Sequence, residues 1–265
     1  MNHLLRDLAP LTAEAWEVVD TEARTRLTEL LAARKLVDFA GPHGWQRSAI
    51  ELGSVEVIDA PDAALAAKQR RVQPLVELRA SFTVPRSTLE DIARGRPDPD
   101  LDTLAEAVRA IAQAENTAVF HGYAAAGITG LTEASSQSPI TLGDDYGDYP
   151  TSVAKAINAL RLAGIVGPFG LAIGPDGYTG IVETAENGGY PLIRHLHEIL
   201  GGPLVWAPGV TGAVLVSTRG GDFQFDSGQD LSIGYRSHDA DEVELYLEES
   251  FTFRVLEPDA AVALV

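Results

Sequence analysis

The chain of 265 residues has no cysteine, and that removes two classes of structure at once. Disulfides are excluded, as are thiolate metal sites, and a reducing cytoplasm becomes the expected location. It has no apolar run near the roughly 20 residues that cross a bilayer. Its first residues, Met1 to Asp7, lack a basic region followed by an apolar core, so neither a signal peptide nor a membrane partner is expected. Positive charge is scarce: 20 Lys and Arg against 38 Asp and Glu give a net charge of -18. A surface this negative repels phosphate backbones, so nucleic acid is not an expected partner, although acidity also simply keeps a protein soluble. The sequence holds no G-x-S-x-G elbow, P-loop, HExxH or G-x-G-x-x-G. It also shows no internal repeat, heptad array or low-complexity tract.

What is present is a soluble composition, 45% apolar with mean hydropathy near zero, and a readable order of elements. Trp16, Val19, Ala23, Leu27 and Leu30 recur at steps of three and four, which predicts a helix from an N-cap at Thr12 to about Ala33. Leu36 to Phe39 reads as extended and stops at Gly41-Pro42. From Ile50 to Val84 the period changes to two, at Val55 and Val57, then at Val76, Leu78, Phe82 and Val84. The section between, Asp59 to Gln73, is polar and alanine-rich. Such an arm cannot bury itself; it is either an ordinary surface hairpin or a segment that packs on another subunit. Pro74 on the return strand suits a sheet edge.

Ser87-Thr88-Leu89-Glu90 predicts a capping box for a short helix ending by Gly95. A longer helix follows Pro99, with Leu101, Leu104, Val108, Ile111, Ala112, Glu115 and Val119 on one side and Gly122 as its stop. Short helices (Thr151 to Ala163, Pro175 to Thr184, Leu192 to Leu200) then alternate with strands (Leu171 to Ile173, Leu204 to Trp206, Ala213 to Ser217). The C-terminal part reads as a glycine turn at Arg219 to Asp222, a short strand, a second turn, and one long strand from Glu242 to Glu257. In that last strand Val243, Leu245, Leu247, Phe251, Phe253 and Val255 share a face.

Candidate chemistry is thin. His195 and His197 lie two apart on a helix and point away from each other; His3, His43, His121 and His238 are scattered, so no metal site is expected. Asp144, Asp145 and Asp148 fit a solvated acidic loop better than an EF-hand. Arg34 and Asp38 follow Leu27 and Leu31 on the first helix. They would rim an apolar groove suited to a short extended peptide, or else be a helix-terminal Arg and a surface Asp.

Particular strings carry a resemblance over nearly the whole chain. They are Leu8 to Thr12 with Trp16, Gly41-Pro42, Gly44-Trp45, Glu77-Leu78-Arg79, Phe82-Thr83, Arg94-Gly95, Gly164-Ile165, Gly167-Pro168 and Tyr190-Pro191. With Arg219 to Phe223, Gln229 to Tyr235 and Glu249 to Phe253, this set resembles the encapsulins, bacterial shell proteins with the fold of the tailed-phage HK97 capsid protein. The resemblance implies an α+β fold with a peripheral domain (1–49, 77–122 and 223–265), an extended arm (50–76) and an axial domain (123–222). It implies a homo-oligomeric icosahedral shell, of the smallest T=1 type for a chain this short.

It further implies a cargo enzyme, a dye-decolourising peroxidase or a ferritin-like protein, held by a C-terminal targeting peptide. The groove for that peptide would use Leu27, Leu31, Arg34 and Asp38 from the helix side and Asp230, Leu231 and Ile233 from the sheet side. The loop of Glu183, Glu186, Asn187, Gly188, Gly189 and Tyr190 would line a five-fold pore. Some members carry a tryptophan associated with flavin binding near the start of the short helix after the arm, and this sequence has Ser87 in that region, so flavin is not expected; no other cofactor is expected either. The competing expectations are a soluble hydrolase acting as a small oligomer, which needs a buried nucleophile with a base in reach, and a DNA-filled capsid, which the acidity disfavours.

Overall fold

A computed structural model describes residues 3–143, 145–185 and 189–265. Helix α1 (Ala13–Leu30) begins where expected: the Thr12 hydroxyl accepts from the Ala15 amide at 3.2 Å. Its stripe of Ala15, Val19, Ala23 and Leu27 is buried. The helix stops at Leu30 and does not reach Ala33, because a distant side chain takes over its last turn. Buried Asn116 accepts from the Ala32 and Ala33 amides at 3.0 and 3.1 Å and donates to the Leu30 carbonyl at 2.8 Å. These bonds replace the helix's own pairing at a terminus that has no glycine cap. A 3-10 turn (Ala33–Lys35) leads into β1 (Asp38–Ala40).

The next two strands, β2 (Ala49–Ile58) and β3 (Ala67–Pro74), pair only with each other. Val55, Val57, Ile58, Leu65 and Val72 stay exposed along this ribbon, Val57 to 77%. Strand β4 (Val76–Pro85) then enters the body. Helix α2 (Arg86–Ala93) starts directly after Pro85 with no side-chain cap. The expected capping box at Ser87 therefore does not form: Arg86 is already helical, its amide taken by the Asp241 carbonyl, and Ser87 falls inside the first turn. Helix α3 (Asp102–His121) runs 20 residues and ends at Gly122, whose φ of 92° a side chain would strain.

Helices α4 (Leu131–Ala134) and α5 (Tyr149–Leu162), β5 (Phe169–Ile173), α6 (Pro175–Glu183), α7 (Leu192–Leu200), β6 (Leu204–Trp206) and β7 (Ala213–Ser217) follow. The expected single short strand near the C-terminus is two, β8 (Phe223–Ser227) and β9 (Ser232–His238), before the long β10 (Glu242–Val255). A last strand, β11 (Ala261–Leu264), was not legible in the sequence.

The strands form two sheets besides the ribbon. In the first, β10 pairs antiparallel with β4 along one edge; along the other it meets β9 and then β8, and β1 lies parallel to β8. Helices α1, α2 and α3 cover one half of this sheet with a core of Val19, Leu27, Val108, Ile111, Val243 and Leu245. The second sheet runs β11-β7-β5-β6, and Leu171, Ile173, Val214, Leu215 and Val262 lie in its core with α5 and α7. Strand β11 pairs with β7, so residues 261–264 join the second sheet. Phe225, Phe251 and Phe253 on the far half of the first sheet belong to this same larger core, so β10 ties both regions together.

Candidate functional site

A groove of about 450 Å³ opens between α1, the N-terminal segment and the start of β9. Alternation on β10 puts Leu247 at its floor, and the i, i+4 spacing of Leu27 and Leu31 lines its helical wall with Ala23. Leu231 and Ile233 form the facing wall, and Leu4 closes one end. Charged side chains line the groove beside these apolar ones. Arg6 donates to both oxygens of Asp20, at 3.0 and 2.7 Å, and lies 3.8 Å above the Trp16 ring.

At the other end Arg34 is not a free rim charge. Its guanidinium donates to Glu115 at 2.8 and 2.6 Å, to Glu249 at 3.0 Å and to Asp230 at 2.7 Å. Its side chain is 16% exposed, while those of Glu115 and Glu249 are 0% and 1%. Burial works against the Arg34 charge, but Glu115, Glu249 and Asp230 together raise its pKa and hold it protonated. Burial first, and repulsion by Glu115 second, push the Glu249 carboxyl well above the usual range, with Arg34 opposing.

Six of the seven expected groove residues thus come together: Leu27, Leu31, Arg34, Asp230, Leu231 and Ile233. Asp38 does not. It begins β1, and its carboxylate accepts from the Gly221 amide at 2.5 Å in a separate small cavity beside Ser217 and Phe223. The turn that wraps it uses Gly220 and Gly221, both with φ near 85°. Leu4, Arg6, Asp20, Ala23 and Leu247 are groove residues that were not expected. Ala23 and Leu247 lie on apolar stripes visible in the sequence, but nothing local marks Leu4 or Arg6.

Of the expected pore loop, Glu186, Asn187 and Gly188 lie outside the described residues. Glu183 is exposed at the end of α6, Gly189 has a φ of 81°, and Tyr190 donates to Glu198 at 2.7 Å. A bridge between Ala185 and Pro191 brings the two ends of the loop together. Among the described residues no cluster of His, Asp or Glu could hold a metal ion. His121 is satisfied within the fold: its Nε2 accepts from the Thr211 amide and its Nδ1 faces the Thr132 hydroxyl, while burial lowers its pKa. Asp145 caps the Gly147 amide.

The fold defined by these two sheets, the long helix α3 and the projecting ribbon is that of capsid subunits of the HK97 type. The virus-like particle of Pyrococcus furiosus superposes with a TM-score of 0.64 over 96% of this chain and all of that one, at 17% identity. The capsid of Myoviridae phage XM1 gives 0.56 over 88% and 90% of the two chains, at 11% identity. Sequence narrows the class. Residues 1–252 match the model of the family described as "Encapsulating protein for peroxidase", and the chain belongs to that family. The Type 1 encapsulin shell protein of Rhodospirillum rubrum is 52% identical over 270 residues, covering all of this chain and 96% of that protein.

Proposed function

We propose that this chain is the structural subunit of a hollow icosahedral container, of the smallest size class, that encloses a cargo enzyme. The observation carrying this reading is full-length kinship to an encapsulin shell protein in a chain with a capsid subunit's fold. The exposed ribbon fits it, since a two-stranded arm with apolar side chains facing water becomes stable when it packs on a neighbour. In this reading the arm is 50–76. The peripheral unit is 1–49, 77–122 and the chain from 223 up to β11, and the axial unit is 123–222 with β11 added.

The groove on α1 takes the extended tail of the cargo. Its mixture of apolar and charged lining suits an amphipathic strand, whose register the charges fix. The cargo is a peroxidase, by the family's description, with a ferritin-like protein as the alternative. Glu183 and the loop after it line a pore that favours cations over anions. The role is structural, as in the related shell proteins, and the container resides in the cytoplasm; no helix among the described residues is long and apolar enough to cross a membrane.

Co-expression with a peroxidase encoded beside this chain tests the proposal. Negative-stain microscopy should show uniform hollow particles containing the peroxidase, and Leu31→Asp should leave particles intact but empty. Small discrete oligomers in place of particles would overturn the container, and undiminished cargo capture by the variant would overturn the groove.

A further inference from the structure

We propose that Glu249 carries a proton in the folded subunit, directed at Glu115, and that this proton keeps Arg34 bonded to Asp230 and so holds the β9 wall of the groove in place. Position 249 interrupts the apolar face of β10 between Leu247 and Phe251, so the strand's alternation aims its carboxyl into the core. Helix α3 aims Glu115 at the same point. Among the described residues the guanidinium of Arg34 is the cation that reaches both, flanked by the rings of Phe39 and Phe225 at 5.3 and 5.2 Å.

The charged neighbours along the chain from these groups have partners elsewhere. Lys35 donates to the Glu29 carbonyl, and Glu248, on the opposite face of β10, pairs with Arg79. Asp226 pairs with Arg254, Asp222 with Arg219, and Asp38 with the Gly221 amide. Two buried carboxylates on one guanidinium leave one excess negative charge shielded from water, and the half-exposed Asp230 adds to it, an arrangement that buried sites avoid by protonating. The Glu249 Oε1 meets no hydrogen-bond donor among the described residues. A proton there turns this orphaned acceptor into a donor toward Glu115, and the direction in which burial and Glu115 move the Glu249 carboxyl agrees.

Removing the proton creates a second full charge beside Glu115. Arg34 is the group able to answer it, and turning inward takes its Nη1 from Asp230. The Asp230 Oδ1 also accepts from the Leu231 amide at 2.9 Å, so freeing Asp230 loosens the first residues of the groove wall. The sign follows. A carboxyl raised in the folded state contributes stability that is complete below the unfolded glutamate's pKa and is lost as pH rises through the folded one. The consequence for cargo rests on the docking reading above; the proton on Glu249 does not.

The test uses the assembled protein, with urea unfolding and amide hydrogen exchange followed from about pH 5 to about pH 9. In the wild type the folding constant should fall by up to about tenfold per pH unit within the window between the unfolded and folded pKa values. Protection of the Leu231 amide should drop over the same window. Glu249→Gln should flatten both trends, and Glu115→Gln, which removes the carboxylate that holds this proton, should do likewise. Infrared spectroscopy of the wild type should show a protonated carboxyl band at neutral pH that either variant lacks. Equal slopes in wild type and variants, or no such band, would overturn the proposal. Were Leu31→Asp to capture cargo normally while the slopes differed as expected, the docking reading would fail and the proton on Glu249 would stand.

Discussion

The β2–β3 ribbon and the β5-β7-β11 strands are built from the same kind of paired backbone, yet their surroundings are opposite. Every residue of β5, β7 and β11 is buried, and their hydrophobic side chains meet helices and neighbouring strands within the one chain. Along the ribbon most residues are exposed, with Ile50 buried at its base, and among the described residues no third strand pairs with it. One region is covered within the monomer; under the proposed function a neighbouring subunit supplies the layer the other lacks. Each ribbon strand pairs on one side only, whereas β5 and β7 pair on both, and side-chain burial, the larger favourable term in folding, differs in the same sense.

Deleting residues 59–73 should break this contrast with the largest effect, since it removes the uncovered region and leaves the covered one untouched. The expected outcome by size-exclusion chromatography is folded small species in place of shells. Particles of normal size and heat resistance would show that the ribbon adds nothing to closure. Asn116→Ala sharpens the other side of the comparison and has the smaller effect. It strips the α1 terminus of its bonds at Ala32, Ala33 and Leu30. It should lower stability by about 2–4 kcal/mol in urea unfolding while shells still form.

Much of the fold was legible because it is local. Helix α7 and strands β6 and β7 have the bounds their sequence pattern predicts, and the alternation of β10 was readable from Val243 to Val255. The groove was legible from its two apolar walls, Leu27 with Leu31 and Leu231 with Ile233, set on one helix and one strand. What stayed hidden joins residues far apart in sequence. Arg34 and Asp230 are 196 positions apart, and their bond, with Glu115 and Glu249, replaces the free rim charge the sequence suggested. Asp38 was misplaced because nearness to Arg34 along the chain says nothing about which side of β1 its carboxylate takes. Strand β11 was missed because four small and aliphatic residues make a strand only when β7 is there to pair with them.

Native mass spectrometry of the intact chain at working concentration tests the central claim most directly. A container subunit with an uncovered arm should appear as one closed assembly many times the mass of the chain, with little free subunit. A folded, stable monomer as the main species would contradict the account.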